Sequence, residues 1–350
     1  MVEANPIAGV LLHSVGALFA VLIYTPQQKL KGWSWQSYWL VQALVCWLIA
    51  PVIGALITIP ELGKVLAEAP VSAMLATFGF GLAYGFGGIC FGLALKHIGF
   101  SLTYAIAIGM SCVLGTLTAP IVQKTLSVIL DKEGSEWVMG GIVIGVIGIV
   151  FCGAAGRSKE RDLDADEGSK SGFSFKKGLP LCLAAGVLSA LYGIAINDAG
   201  APIAAVAGKY GAGLWQTNVN YLFANPGAVV ISIFYTLHLT RKEKTGGEFF
   251  CVEGSTPVLI RNYLLSILTG CLWYGQFLFY GVAHVQMGEL KFSSWAIHMI
   301  MMILFSTVLG LVMREWHGCR RITIFTIALA IVLLVASVLV LSYGNYLGAV

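Results

Sequence analysis

The chain has 350 residues, of which 58% are hydrophobic and only 11% are charged, with a net charge of +4 and a mean hydropathy of +0.84. A water-soluble domain of this length cannot bury so much apolar surface. The composition therefore excludes an ordinary soluble globular protein and indicates a helical protein that crosses a membrane many times.

Ten segments are apolar enough to span a bilayer, which takes about 20 residues of helix. Spans 1 to 10, numbered in chain order, are centred near Ala17, Cys46, Phe86, Met110, Val146, Leu188, Val229, Leu272, Ile303 and Val332. The first segment follows no basic region and precedes no small-residue cleavage site, so we expect an uncleaved span and not a signal peptide. The predicted fold class is an all-α membrane protein with ten transmembrane helices.

Span 1 places His13, Gly16, Ala20 and Tyr24 at helical spacing, so one face of this helix carries its polar groups. Hydrogen-bonding atoms left unpaired against acyl chains are costly. We therefore expect this face to point to protein or to a watery cavity.

Span 3 contains four glycines spaced four, three and four residues apart, namely Gly81, Gly85, Gly88 and Gly92. Small residues at this spacing allow two helices to approach closely. We expect tight helix packing along this face, with a substrate-facing role as the alternative.

The most charged stretch, RSKERDLDADEGSKSGFSFKK from Arg157, separates spans 1 to 5 from spans 6 to 10. It predicts a first five-helix repeat at residues 1–156, a cytoplasmic linker at 157–177 and a second five-helix repeat at 178–350.

An internal repeat accompanies this division. FGLALKHIG, from Phe91 at the end of span 3, resembles YGVAHVQMG, from Tyr280 at the end of span 8. Because five spans separate equivalent helices, the two copies would be inverted, as in many secondary transporters with a substrate site near the midplane. Chance similarity between two glycine-rich apolar runs is the alternative.

Spans 6, 8 and 9 also carry stripes of polar or small residues at helical spacing. The stripes are Gly186, Ser189, Gly193 and Asn197; Trp273, Gln276, Tyr280 and His284; and Ser294, Trp295, His298 and Met302. Amide and imidazole groups bond to hydroxyls, and aromatic rings cover apolar C–H faces, so these groups suit a sugar. The candidate substrate-binding residues are Trp273, Gln276, Tyr280, His284, Trp295, His298, Asn197 and His13. Hydrogen bonding between helices is the alternative.

Charged residues are absent from the predicted centres of the spans; Asp198, Glu289 and Glu315 lie near predicted ends. A charged substrate would need a buried counter-charge, so we expect a neutral one. His13, His284 and His298 are the candidates for protonation near neutral pH, with neutral hydrogen bonding as the alternative.

Other chemistry has little support in the sequence. The eight cysteines show no C-x-x-C or metal-ligand spacing, which argues against a disulfide framework or a metal site. There is no phosphate-binding G-x-x-x-x-G-K-[ST] motif and no cluster with the spacing of a nucleophilic site. We expect a transporter driven by a gradient or by no energy source, and not an ATPase or an enzyme.

The positive charges are distributed unevenly. The connections between spans 1 and 2, 3 and 4, 5 and 6, 7 and 8, and 9 and 10 hold sixteen of the 21 lysines and arginines. The remaining five are Lys64, Lys124, Lys132, Lys209 and Lys291. Because short cationic loops remain cytoplasmic, we expect both termini on the opposite, periplasmic side.

Five blocks in order along the chain carry a family resemblance: YTPQQKLKGWSWQSYW, AIAIGMSCVLGTLTAPI, GCLWYGQFLFYGVAH, SSWAIHM, and GLVMREW followed by RR. They resemble the L-rhamnose-proton symporter family of the drug/metabolite transporter superfamily. The resemblance covers essentially the whole chain, and its more specific parts are the Trp33-Ser34-Trp35 block and the block from Gln276 to His284.

The resemblance implies a ten-helix 5+5 inverted repeat with the drug/metabolite transporter fold in the cell inner membrane. It also implies uptake of L-rhamnose, with L-lyxose and L-mannose as further substrates, by proton symport through alternating access. Since no carboxylate is predicted at the centre of a span, His284 is the first candidate for proton coupling and His298 the second. The expected partners are a neutral sugar, a proton and the lipid bilayer, without cofactor, metal or nucleic acid.

One difference from the family bears on the sugar. Rhamnose-transporting members are expected to carry asparagines in span 3 where this chain has Gly88 and Cys90. A related neutral sugar is therefore an alternative substrate. An exporter or permease for another small metabolite on the same fold is the alternative function.

Overall fold

The computed structural model describes residues 4–98, 100–167, 175–252, 255–314 and 316–349, and all regular structure in these ranges is helical. The first five spans contain α1 (Pro6–Leu22) and α2 (Tyr24–Gln27); α3 (Trp35–Leu44), a π-helical segment (Val45–Ile49) and α4 (Ala50–Thr58); α6 (Val71–Ile98); α7 (Phe100–Val122); and α9 (Ser135–Glu167). Two short helices connect them, α5 (Leu62–Glu68) and α8 (Leu126–Leu130).

The last five spans are built in the same way from helices and short non-α segments. They contain α10 (Phe175–Ile194), a π-helical segment (Ala195–Ala199) and α11 (Ala201–Lys209); a 3-10 segment (Gly213–Asn220) and α12 (Tyr221–Glu243); α13 (Thr256–Gln286); a 3-10 segment (Gly288–Ser293) and α14 (Ser294–Val312); and α15 (Arg321–Leu347). A further 3-10 turn, Gly246–Phe249, follows α12.

The prediction of ten spans is confirmed. The described residues contain ten helical stretches that are long and apolar enough to cross a membrane, and every predicted centre falls inside one of them. The chain is therefore a multi-pass helical membrane protein.

The two π-helical segments were not predicted, and each is followed by a proline in the first turn of the next helix. These prolines are Pro51 in α4 and Pro202 in α11. A proline ring clashes with the carbonyl four residues earlier, and in both spans that carbonyl belongs to the π-helical segment. We attribute the local widening of the helix to relief of this clash.

One compact unit consists of Leu18–Phe86 and Ile194–Val282. Spans 2 and 7 lie wholly within it, and α3 packs against α12. The apolar core between these two spans is formed by Trp39, Ala43, Cys46, Trp47, Ala228 and Val229.

The span 3 glycines of this unit provide the close helix contact that their spacing predicted. A Cβ atom added to Gly81 would overlap the backbone carbonyl of Ala224 in span 7. A Cβ at Gly85 would lie 2.8 Å from the Ile231 side chain and 3.0 Å from Cα of Ala228. The packing prediction is therefore confirmed at Gly81 and Gly85.

The other compact unit consists of Glu3–Ala17, Gly87–Gly193 and Ala283–Val350. Within it span 4 packs against span 9, and span 5 packs against span 10. Gly141 brings the second pair together, since a Cβ there would lie 2.7 Å from the Leu341 side chain. The Ser337 hydroxyl of span 10 also donates a 2.7 Å hydrogen bond to the Gly141 carbonyl.

The predicted linker at 157–177 lies partly within helices. Residues 157–167 continue α9, and residues 175–177 begin α10. Residues 168–174 lie outside the described residues.

Asp162, on the extension of α9, contacts the start of span 10. Its carboxylate accepts hydrogen bonds from the backbone N–H of Arg320 at 2.9 Å and from the Thr323 hydroxyl at 2.7 Å. A carboxylate at a helix N-terminus satisfies otherwise unpaired N–H groups and interacts favourably with the helix dipole. Asp162 therefore supplies the cap that α15 lacks in its own sequence.

Glu248 secures the Trp33-Ser34-Trp35 block. Its carboxylate accepts hydrogen bonds from the Ser34 backbone N–H at 2.8 Å, the Ser34 hydroxyl at 2.8 Å and the Ser37 hydroxyl at 2.7 Å. The Trp33 indole N–H donates to the Glu248 backbone carbonyl at 2.9 Å. The connection between spans 7 and 8 thereby holds the start of span 2.

Glu68 makes a similar contact between α5 and the end of span 6. Its carboxylate accepts hydrogen bonds from the Lys209 ammonium at 2.7 Å and from the Tyr210 hydroxyl. The bond from Lys209 is the largest of the effects that lower the pKa of Glu68 below its usual value.

Candidate functional site

The stripe predicted on span 8 lies on one uninterrupted helix, α13. Gln276, Tyr280 and His284 are buried, whereas Trp273 is half-buried. The four side chains follow one another at intervals of three or four residues, so they lie along one face. Trp273, Gln276 and Tyr280 belong to the first unit described above, and His284 belongs to the second.

Asn197 and Tyr280 are brought together in the first unit. The Asn197 amide donates a 2.7 Å hydrogen bond to the Tyr280 hydroxyl. Asn197 lies in the second π-helical segment, and such segments frequently occur at functional sites. The bonded pair presents an amide carbonyl and a phenolic oxygen, which are chemically suited to a hydroxylated ligand.

Asp198 lies farther from the end of its helical stretch than the sequence predicted. The sequence placed it near the end of span 6, but helix continues through α11 to Lys209 because Pro202 occupies a first-turn position, where a proline is tolerated. Asp198 therefore lies inside the candidate membrane span, half-buried and within electrostatic reach of the Tyr280 hydroxyl. Glu289 lies at the start of span 9, and Glu315 lies outside the described residues.

Trp273 belongs to an aromatic cluster that the sequence analysis did not identify. Its ring centroid lies 5.4 Å from that of Trp47 and 5.8 Å from that of Trp39, both in edge-to-face geometry. Trp35 stacks on Trp39 at 4.8 Å, and Tyr84 of span 3 lies 5.9 Å from Trp47. Span 8 thus meets span 2 through aromatic rings at the beginning of its polar stripe.

The three candidate histidines lie in the second unit. The rings of His13 and His298 are 5.7 Å apart in edge-to-face geometry, and His13 also interacts electrostatically with His284. All three side chains are buried. The structure therefore groups the residues that were chosen for protonation, although they come from spans 1, 8 and 9.

Trp295 is held firmly within the same unit. Its indole N–H donates to the Ser111 backbone carbonyl at 3.0 Å, and its ring packs against Gly115 and Gly193. The Ser111 hydroxyl in turn donates to the Ser189 hydroxyl at 3.0 Å. Ser189 and Gly193 belong to the predicted stripe of span 6, so this stripe lies beside Trp295. The role of Trp295 in sugar binding stays a prediction.

A polar chain in the first unit was missed by the sequence analysis. The Tyr274 hydroxyl donates to the Asn218 side-chain oxygen at 2.6 Å, and the Asn218 amide donates to the Thr58 hydroxyl at 2.7 Å. Tyr274 lies beside the span 8 stripe and not on it, so helical spacing did not select it. The two asparagines of TNVNYL, at the start of span 7, were the available signal.

Residues 2–345 match the family model described as L-rhamnose-proton symport protein. A protein named L-rhamnose-proton symporter from Escherichia coli O1:K1 is 30% identical over 343 residues, covering 96% of this chain and 98% of that protein. Proteins of the same name from Shigella boydii serotype 18 and Shigella flexneri are 31% and 30% identical over the same shares. Because the family model matches almost from end to end, the chain belongs to the L-rhamnose-proton symport protein family.

Proposed function

We propose that this protein takes up L-rhamnose, or a closely related neutral sugar, together with a proton. The observation that carries this proposal is the nearly full-length match to a family and to relatives named for that activity. The chemistry of the span 8 stripe supports it, because the stripe combines an amide, a phenol, an imidazole and an indole.

Sugar binding is assigned to the groups around Asn197, Trp273, Gln276 and Tyr280. Gln276 can donate to one hydroxyl and accept from another, and the ring of Trp273 can cover an apolar sugar face. The bonded pair of Asn197 and Tyr280 adds further hydroxyl partners. These groups are uncharged, which is compatible with a neutral ligand.

Proton coupling is assigned first to His284 and then to His298. Their grouping with His13 supports this assignment, because protonation of one imidazole alters the electrostatic energy of the others. Asp198 is a second kind of candidate, since an ionisable residue inside a membrane span is a functional candidate by default.

Transport by alternating access requires two halves that move against each other, so that the binding site opens first to one side of the membrane and then to the other. We infer a 5+5 inverted repeat with the drug/metabolite transporter fold, in which spans 1 to 5 correspond to spans 6 to 10. The pairing of spans 2 with 7, 4 with 9 and 5 with 10 supports this, because helices that lie along a twofold pseudo-symmetry axis pack against their equivalents. The repeats would occupy residues 1–156 and 178–350.

Location in the cell inner membrane with periplasmic termini completes the proposal. The support is the positive charge of the five connections assigned to the cytoplasm.

Uptake of labelled sugar into proteoliposomes with an imposed pH gradient tests the proposed function. L-rhamnose should accumulate when the outside is acidic and should be displaced by close structural relatives in a panel of unlabelled sugars. Accumulation that follows sodium and ignores pH would contradict proton coupling. Movement of sugar only down its own gradient would favour a permease, and net movement outward would favour an exporter.

A further inference from the structure

Span 2 contains two fully buried polar side chains that no assignment above uses. Gln42 is 0% exposed and Trp47 is 1% exposed. Neither the Gln42 amide atoms nor the Trp47 indole N–H has a hydrogen-bond partner among the described residues. Burying such groups unpaired destabilises a protein, so native structures rarely retain them without a function.

Neighbouring residues of the same type in span 2 are paired. Gln36 donates to the Glu243 carboxylate at 2.9 Å and to the Thr245 hydroxyl at 3.0 Å. The Trp39 indole N–H donates to the Ser232 hydroxyl at 3.3 Å. Within the described ranges, the lack of hydrogen-bond partners is therefore confined to some side chains of span 2, Gln42 and Trp47 among them, and is not a general feature of this span.

Both residues lie where span 2 meets span 8. A Cβ atom at Gly270 would lie 2.9 Å from the Gln42 backbone carbonyl, so the two helices touch at this level. Trp47 contacts Trp273, the first residue of the polar stripe, with ring centroids 5.4 Å apart. The first π-helical segment begins at Val45, between Gln42 and Trp47, and changes the register of the helix there.

We propose that Gln42 and Trp47, together with Trp273, form a sugar subsite that binds hydroxyl groups of the substrate. This proposal rests on the proposed function and adds span 2 to the sugar-binding groups. An amide supplies both a donor and an acceptor and thus matches two adjacent hydroxyls, while an indole N–H donates to a third oxygen. Because both groups are buried in this structure, the proposal requires a conformation in which the facing surfaces of spans 2 and 8 separate and admit the sugar.

The test measures L-rhamnose binding to the purified full-length protein by titration calorimetry. The variants are Trp47→Phe, which removes the N–H but keeps an aromatic ring, and Gln42→Leu, which removes the amide at similar volume. The matched control is Trp39→Phe, because the Trp39 N–H already has a protein partner. Trp47→Phe and Gln42→Leu should each bind L-rhamnose roughly fivefold to a hundredfold more weakly than the wild type. The control Trp39→Phe should bind it as the wild type does.

Monodeoxy analogues of L-rhamnose identify the hydroxyls concerned. Wild-type protein should bind at least one analogue more weakly than L-rhamnose, and Trp47→Phe or Gln42→Leu should abolish that discrimination. Thermal unfolding without sugar provides the folding control. Replacing the buried amide of Gln42, which has no hydrogen-bond partner among the described residues, with leucine should not lower the unfolding temperature. If Gln42→Leu does not fold, the binding measurement on Trp47→Phe alone tests the proposal.

The outcomes separate the two proposals. If the wild type binds L-rhamnose and both variants bind it equally well, the subsite is overturned and the proposed function stands. If the wild type binds no sugar of the panel, the proposed function is overturned and the subsite with it. If Trp47→Phe and Gln42→Leu bind L-rhamnose more weakly but keep the unfolding temperature of the sugar-free wild type, both the subsite and the proposed function are supported.

Discussion

Gln276 is the buried amide near the middle of the polar stripe on span 8, one helical turn from both Trp273 and Tyr280. We predict that Gln276→Ala weakens sugar binding without preventing folding. Loss of one partner of a buried sugar hydroxyl should cost about 1 to 3 kcal/mol, or roughly fivefold to over a hundredfold in affinity. Binding titration measures the effect, with Gln123→Ala at an exposed position as the control. Unchanged affinity would remove Gln276 from the site.

His284 lies one turn beyond Tyr280 on the same helix, and we predict that it couples proton movement to sugar movement. In His284→Gln, the alkalinisation of the medium that accompanies sugar entry should be lost. Exchange of sugar between equal pools needs no net proton movement and should partly survive. A pH electrode and labelled-sugar exchange give the two readings, with the exposed His238→Gln as the control.

Asp198 provides the comparison for this experiment. If His284→Gln still drives uphill accumulation with unaltered pH dependence, His284 is only a sugar ligand. If coupling is lost in Asp198→Asn instead, proton coupling is assigned to Asp198, in the π-helical segment of span 6. The two residues lie on different helices, and each variant removes one titratable group while leaving the other in place. The comparison therefore distinguishes the two assignments.

At the scale of elements, the contact between spans 3 and 7 depends on a residue without a side chain. We predict that Gly81→Ala destabilises the protein, because its methyl group would overlap the Ala224 backbone carbonyl, which cannot move as a flexible side chain can. Overpacking of this kind typically costs about 1 to 3 kcal/mol. Thermal unfolding of the purified variants measures the change.

Gly79→Ala is the matched control, since nothing lies within 4 Å of a Cβ atom at that position in the same helix. Its expected effect is neutral or slightly stabilising, because alanine favours helix over glycine by up to about 1 kcal/mol. Equal unfolding temperatures for the two variants would contradict close packing at Gly81.

At the scale of the whole molecule, the charge distribution predicts the orientation in the membrane. A reporter that is active only in the cytoplasm should work when inserted near Asp164 and should fail when fused after Val350. Val350 itself lies outside the described residues. The reverse pattern would invert the topology and the assignment of every connection.

The sequence by itself determined the class of protein, the ten spans and the stripe on span 8. These features depend on local quantities, namely the length of an apolar run and the helical period, which hold for each segment regardless of its neighbours. The family followed from the same source, because its motifs are distributed over the whole chain.

Only the tertiary structure decided which spans pack together and which polar groups meet. The His13 and His298 contact and the bond between Asn197 and Tyr280 depend on residues distant in the chain. So does the burial of Gln42 without a hydrogen-bond partner in the part of the chain that the structure describes. No periodic pattern encodes such contacts, because they result from how whole helices pack. Helix also continues beyond Asp198 to Lys209, because Pro202 lies in a first helical turn, where a proline is tolerated.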